Sequence, residues 1–176
     1  LRERVTFLLP EELPTLDHIL ELGKIEVFRR GIRIFLIDPW NMLSHNRRAN
    51  QTETEYIGES LQKIRRFSRL HNLHCFIVAH PTKMFPDDQG KTRVVVPYDT
   101  SGSAHFFNMG DCIISVWRDT SADNNIIQVH IQKIRFRENG KPGMVELRWD
   151  LPTGRFFDTN HSSIITPQTS QYEAPF

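Results

Sequence analysis

Apolar residues recur along the first half of the chain with two different periods. Leu16, Ile19, Leu20, Leu22, Ile25 and Phe28 return every three to four positions, and the pattern stops at Gly31. That is the spacing of one helical face with a glycine stop, and it predicts a helix over residues 13–30. The run "IRIFLI", residues 32–37, is apolar at five of six positions and predicts a buried strand. Thr52 or Thr54 can cap a second helix, whose stripe runs through Tyr56, Ile57, Leu61, Ile64, Phe67, Ser68 and Leu70 or His71. A second continuous run, "LHCFIVAH", predicts a strand over residues 73–80. Strand, helix, strand with apolar residues on both strand faces is the pattern of a parallel sheet covered by helices.

Beyond residue 80 the pattern changes. Residues 81–101 form a polar stretch with three prolines, a glycine, Lys83, Lys91 and Arg93, and a loop of that length inside a domain is commonly functional or mobile. "GSAHFFNMGD" predicts a short helix after a glycine, followed by a strand at "CIISVW". "IIQVHIQKIRF" alternates as a half-exposed antiparallel strand does, and "ENGKPG" turns the chain into "MVELRWD". Residues 158–176 contain no lysine or arginine and many Ser, Thr and Gln, which predicts a weakly ordered or docking tail behind a domain of residues 1–157.

Composition adds bounds. With 176 residues, 39% hydrophobic and 24% charged, the chain suits one globular domain. No apolar run approaches the roughly 20 residues of a membrane span, and no signal-peptide pattern opens the chain. Cys75 and Cys112 lie inside apolar runs, where a reduced, buried thiol is the ordinary state, so a reducing compartment such as the cytoplasm is expected. The net charge is +1, but the cations cluster: Arg29, Arg30, Arg33, Arg47 and Arg48; Lys63, Arg65, Arg66 and Arg69; Lys133, Arg135, Arg137 and Lys141. Such clusters suit either nucleic acid or solvated faces.

The first strand runs into Asp38. A carboxylate at the carboxyl end of a parallel strand stands where open α/β sheets bind ligands, and can hold a water of Mg²⁺ bound to nucleotide phosphates. An aspartate that merely starts a turn before Pro39 fits the same pattern. The second strand is expected to end on His80, beside the basic loop, where it could touch a terminal phosphate. "HNLHC" (His71, His74, Cys75) has no second ligand pair at zinc-site spacing, and Asp87, Asp88 and Asp99 lack the periodicity of a calcium loop.

In order and spacing, "IRIFLIDPWN", "HCFIVAHPTK", "DTSGSAHFFNMGD" and "IQKIRFRENGKPGMVELRWDLPTGRF" resemble the motor domain of DnaB-type ring helicases, in particular Twinkle-like and phage primase-helicases. The resemblance covers about residues 16–157 and implies a RecA-like α/β core, a parallel sheet with helices on both faces extended by antiparallel strands. It makes Asp38 the Walker B aspartate, His80 the phosphate sensor, and Lys133 with Arg135 the basic pair that reaches a neighbour's nucleotide, Arg135 as arginine finger. Residues 133 and 135 share one face of a strand, so both can address one phosphate group; a solvated edge strand blunted by charge gives the same sequence. Lys83, Lys91, Arg93, Ser101, Gly102 and Ser103 correspond to channel loops that grip single-stranded DNA. Arg155 and Phe157 lie near the turn where the adenine base packs, although core packing of the phenylalanines is the expected arrangement. The implied cofactors are ATP or another NTP with Mg²⁺; the implied partners are single-stranded DNA, five further copies in a homo-hexamer, and a fused or separate primase.

No G-x-x-x-x-G-K-[ST] occurs, and no acidic residue adjoins Asp38. The family carries its phosphate loop and catalytic glutamate upstream of such a segment. The chain is therefore expected to be the carboxyl-terminal part of a motor domain, inactive as an ATPase alone, whose parent translocates 5′ to 3′. A cytoplasmic location, in a bacterial or phage-infected cell, is expected, with an organellar matrix as the alternative compartment; phage, bacterial and organellar sources all fit the sequence. A RecA- or RadA-type recombinase and a degenerate scaffold or loader are the alternative functions.

Overall fold

The computed structural model describes residues 4–10, 12–85, 87–88, 92–100, 103–119 and 125–159. Its first unit is α1 (Leu16–Arg30), β1 (Ile34–Ile37), α2 (Glu53–His71) and β2 (His74–Ile77). The predicted start of α1 moves in by three residues because Thr15 serves as its cap, its hydroxyl accepting from His18 N–H at 3.3 Å. Gly31 ends the helix in the left-handed region, φ 62°, its N–H donating to the Val27 carbonyl. Thr52 and Glu55 form a reciprocal capping box at the start of α2, and the amide and hydroxyl of Thr52 hold the Glu55 carboxyl below its usual range.

β1 and β2 pair in parallel, Ile34 with His74 through Ile37 with Ile77. Phe35 and Ile37 point into the core, where Leu16 of α1 and Ile57, Leu61, Ile64 and Phe67 of α2 meet them. Ile34 and Leu36 on the opposite side of β1 are exposed. The expected stripe of α1 is only partly used. Leu16 and Gly23 are its buried residues, whereas Ile25 and Phe28 face solvent.

The second unit is α3 (Ser103–Met109) and four antiparallel strands in sequence order, β3 (Cys112–Trp117), β4 (Ile126–Ile134), β5 (Gly143–Asp150) and β6 (Arg155–Asp158). A bulge interrupts the β3–β4 ladder: Ile113 pairs with Lys133 but Ile114 with Ile131, leaving Gln132 as the extra residue. Gln132 uses its amide on the Val95 carbonyl and Ser115 Oγ, so the bulge ties the residues before α3 to the sheet. Trp117 does the same through Nε1, donating to the Thr92 carbonyl at 2.9 Å. Cys112 is exposed rather than buried. Alternation along β3 turns Cys112, Ile114 and Val116 to the open side of the sheet. Phe156 and Phe157 are also exposed, because β6 is an outer strand of the sheet, with β5 as its only neighbour among the described residues. The expected tail, except for Asp158 and Thr159, lies outside the described residues. No described helix is long and apolar enough to cross a membrane.

Candidate functional site

Asp38 directly follows β1 and is exposed, with no hydrogen bond or ion pair to another described residue. It is followed by a cis peptide bond to Pro39 and a 3-10 turn, Trp40–Met42. This turn is anchored to the segment after β2: Val78 N–H donates to the Ile37 carbonyl at 2.9 Å, and Trp40 N–H to the Val78 carbonyl at 2.7 Å. The ladder itself stops at Ile77, so His80 is not the last residue of the strand as expected but lies three residues beyond it. Its position is nevertheless set, because His80 N–H donates to Asn41 Oδ1 at 2.8 Å. Asp38 and His80 thus stand on two adjoining segments at the carboxyl rim of the parallel pair, both exposed and clamped together through the backbone.

Trp40 is buried beneath that rim. Its indole meets the imidazole of His45 at 5.0 Å and the edge of Phe106 in α3 at 5.9 Å. His45 Nδ1 lies 3.3 Å from the Tyr56 hydroxyl of α2. Burial pushes the imidazole's pKa down, against opposing effects of the Trp40 backbone and Glu53.

Lys133 and Arg135 sit at the end of β4, on the other side of α3. Lys133 Nζ donates to the Phe107 carbonyl and lies 4.7 Å from the centre of the Phe107 ring. Arg135 Nη2 donates to the Asn108 carbonyl, and Nη1 pairs with Asp111 Oδ1 at 3.0 Å. Both cations point to the same side, as their spacing predicts, and that side is the carboxyl end of α3. Burial and the neighbouring guanidinium push the Lys133 ammonium pKa down, with Asp111 acting in the opposite sense. No hydrogen bond, ion pair or ring contact among the described residues joins this pair to Asp38 or His80. α3 bridges the two groups, touching the rim through Phe106 and the cations through its last carbonyls.

The basic loop is closed at its base, where Thr82 N–H and Oγ1 both donate to the Asp99 carbonyl, at 2.8 and 2.7 Å. Arg93 holds the Asp99 carboxylate with two parallel bonds, Nη1 to Oδ2 at 2.8 Å and Nη2 to Oδ1 at 2.5 Å. The Arg93 pair, with help from Val96 N–H, keeps the Asp99 carboxyl below its usual range. Arg93 therefore braces the loop, while Lys83 is exposed with its ammonium 5.5 Å from the Phe85 ring centre. Lys91, Ser101 and Gly102 lie outside the described residues, and Ser103 is described only as the first residue of α3. Among the described residues no three His, Cys, Asp or Glu side chains converge as a metal site.

Over 168 residues, 94% of its length, the chain is 39% identical to the Twinkle homolog protein, chloroplastic/mitochondrial, of Arabidopsis thaliana. Nearly the whole chain is therefore similar to one segment of a Twinkle homologue. It spans 23% of that relative. No protein-family model matches it. Among solved structures, one described as an ATPase domain superposes with a TM-score of 0.63 at 20% identity, over 82% of this chain and 51% of that one. A DnaB-like replicative helicase, described with its interactions with primase, superposes at 0.64 and 22% identity, over 81% and 35%. The fold is therefore RecA-like, parallel pair and antiparallel extension included.

Arg155 and Phe157 lie on β6, paired with Asp150 and Arg148 of β5, and both are exposed. Neither packs in the core. Asn41 and Asp111 were not singled out from the sequence. Asn41 lies in "DPWN" beside the strand-end aspartate, which is a usable local signal. Asp111 reads as an ordinary turn residue in "MGDC", because its partners Arg135 and Arg65 are distant in sequence.

Proposed function

We propose that this chain is the carboxyl-terminal part of the motor of a replicative DNA helicase, working with ATP or another NTP and Mg²⁺ on single-stranded DNA. The observation that carries the reading is the division of labour across α3. An exposed strand-end carboxylate with a clamped histidine stands on one side and a directed lysine–arginine pair on the other, in a chain 39% identical to a Twinkle homologue. The donor set fits a nucleotide–metal pair in part: Asp38 is exposed and unpaired among the described residues, as a residue that takes a metal-bound water must be. The phosphate cradle would come from outside this chain, since no phosphate loop occurs in it. Bound Mg²⁺ would neutralise charge developing on the phosphates. Asp38 would orient that ion's water, and His80 would sense the terminal phosphate and pass its loss to the rim through the Asn41 clamp.

Among the described residues Lys133 and Arg135 make no hydrogen bond, ion pair or ring contact with Asp38 or His80 of their own chain, which is the arrangement a residue acting in trans requires. We assign Arg135 as the arginine finger for a neighbouring subunit in a closed, hexameric ring. A guanidinium supplied this way is worth about 10³–10⁵ in rate in comparable phosphoryl transfers. Lys83 and Lys91 remain candidates for the DNA grip; Arg93, already paired with Asp99, would contribute by holding the loop's shape. A primase partner or fused primase fits the structural neighbour described with primase. An organellar compartment fits the chloroplastic/mitochondrial relative. The test is Arg135→Ala in the full-length protein: DNA-stimulated NTP turnover should fall at least about 10³-fold, with nucleotide binding retained. Undiminished turnover would remove the assignment.

A further inference from the structure

Asp111 occupies the junction between α3 and β3, and both of its polar groups serve Arg135. Its carbonyl accepts Arg135 N–H at 2.8 Å, and its carboxylate takes Arg135 Nη1 at 3.0 Å. Arg65 of α2 reaches the same Oδ1 at 3.8 Å. The remaining acceptors of the cationic pair, the carbonyls of Phe107 and Asn108, are the last turn of α3, where the partial negative charge of a helix end favours cations. Phe107 in turn stacks on Tyr98 at 5.3 Å, and Tyr98 belongs to the 3-10 turn Pro97–Asp99 that closes the basic loop. The described hydrogen bond and ion pair of the Arg135 guanidinium are therefore to the end of α3 and to Asp111, two residues beyond it. α3 cannot move relative to β4 without re-aiming both cations.

We propose that Asp111 is the positioning residue of Arg135, and that the end of α3 carries the state of the basic loop, through Tyr98 and Phe107, to the direction in which the guanidinium points. This rests on the reading of Arg135 as the residue that acts on a neighbour's nucleotide. The carboxylate offsets repulsion between the two cations and fixes the plane of the guanidinium; the α3 carbonyls fix its position along the strand. Loop engagement by a nucleic-acid strand thereby becomes a change in finger geometry.

The experiment measures NTP turnover of the full-length protein with and without saturating single-stranded DNA, for Asp111→Asn, Asp111→Glu, Arg135→Ala and the Asp111→Asn/Arg135→Ala double variant. Asp111→Asn should lower DNA-stimulated kcat by up to about a hundredfold, the cost of misplacing a catalytic group by roughly an ångström, while KM for NTP stays unchanged. Asp111→Glu, which keeps the charge and displaces it, should fall between Asp111→Asn and the parent, and carries the test alone if the Asn variant does not fold. The double variant should be no slower than Arg135→Ala. Parent-like kcat in the Asp111 variants, or a double variant slowed by the full product of the two single effects, would overturn the positioning role. Parent-like turnover in Arg135→Ala would overturn the finger itself, a distinct result visible in that variant alone.

Discussion

α1 packs against the sheet at Gly23, where there is no room for a side chain. A Cβ there would lie 2.9 Å from Cε2 and Cζ of Phe35 and 3.2 Å from Cζ of Phe67. Carbon pairs prefer about 3.5–4.0 Å, so the overlap is severe. Phe35 is 6% exposed and its ring lies 5.7 Å from that of Phe67, which leaves it nowhere to retreat. Replacing a helical glycine by alanine gains roughly 1 kcal/mol of helix propensity, whereas forcing a methyl group into a filled core costs about 1–3 kcal/mol. Gly23→Ala should therefore destabilise the chain by about 1 kcal/mol net. Gly58→Ala is the control: its Cβ would meet His105 Cε1 at 3.0 Å, but that imidazole is half-exposed and can swing aside. There the propensity gain should survive, giving a change from zero to about 1 kcal/mol stabilising. Urea unfolding followed by far-ultraviolet circular dichroism, with equal slopes for all three proteins, measures both. A Gly23→Ala chain as stable as its parent would refute the packing argument.

Three further outcomes are expected. The His45 pKa is depressed in the folded state, so the unfolded chain binds more protons as pH falls through the ordinary value of 6.5; stability should decline as pH drops through that region, and His45→Gln should flatten the decline in thermal melts. Cys112 is exposed, whereas Cys75 is half-buried with burial pushing its thiol pKa up, so mild alkylation at pH 8 should label Cys112 first; equal rates by mass spectrometry would contradict the placement. His80→Ala should leave NTP binding intact and uncouple hydrolysis from unwinding, and normal unwinding would count against the sensor role.

The elements governed by local chemistry were legible in the sequence. α2 follows from its apolar stripe and from a threonine cap, Thr52 rather than Thr54 in the structure, and the end of α1 from Gly31. Asp38 stood out because an apolar run ends on a charge, and Lys133 with Arg135 because two cations share a strand face. What was misread depends on non-local packing. Ile25 and Phe28 have the right period for α1, but the buried residues of the helix are Leu16 and Gly23, and both of these apolar side chains, Ile25 and Phe28, face solvent. Cys112, Phe156 and Phe157 lie in apolar runs, yet strand alternation and an outer position leave them exposed. His80 was placed at a strand end because "FIVAH" is continuous, while the ladder with β1 ends at Ile77. The bracing of Arg93 by Asp99 and the capture of Arg135 by Asp111 depend on turns that bring charges together, which spacing along the chain does not encode.

The central claim is that the Asp38 rim of one subunit is completed by Arg135 of another. Its most direct test mixes two full-length variants, Asp38→Asn and Arg135→Ala, each inactive alone, and lets them assemble together before DNA-stimulated NTP turnover is measured. The account predicts that turnover returns, because an Arg135→Ala subunit keeps an intact Asp38 site and an Asp38→Asn neighbour supplies the guanidinium. A co-assembled mixture as inactive as either variant would contradict it.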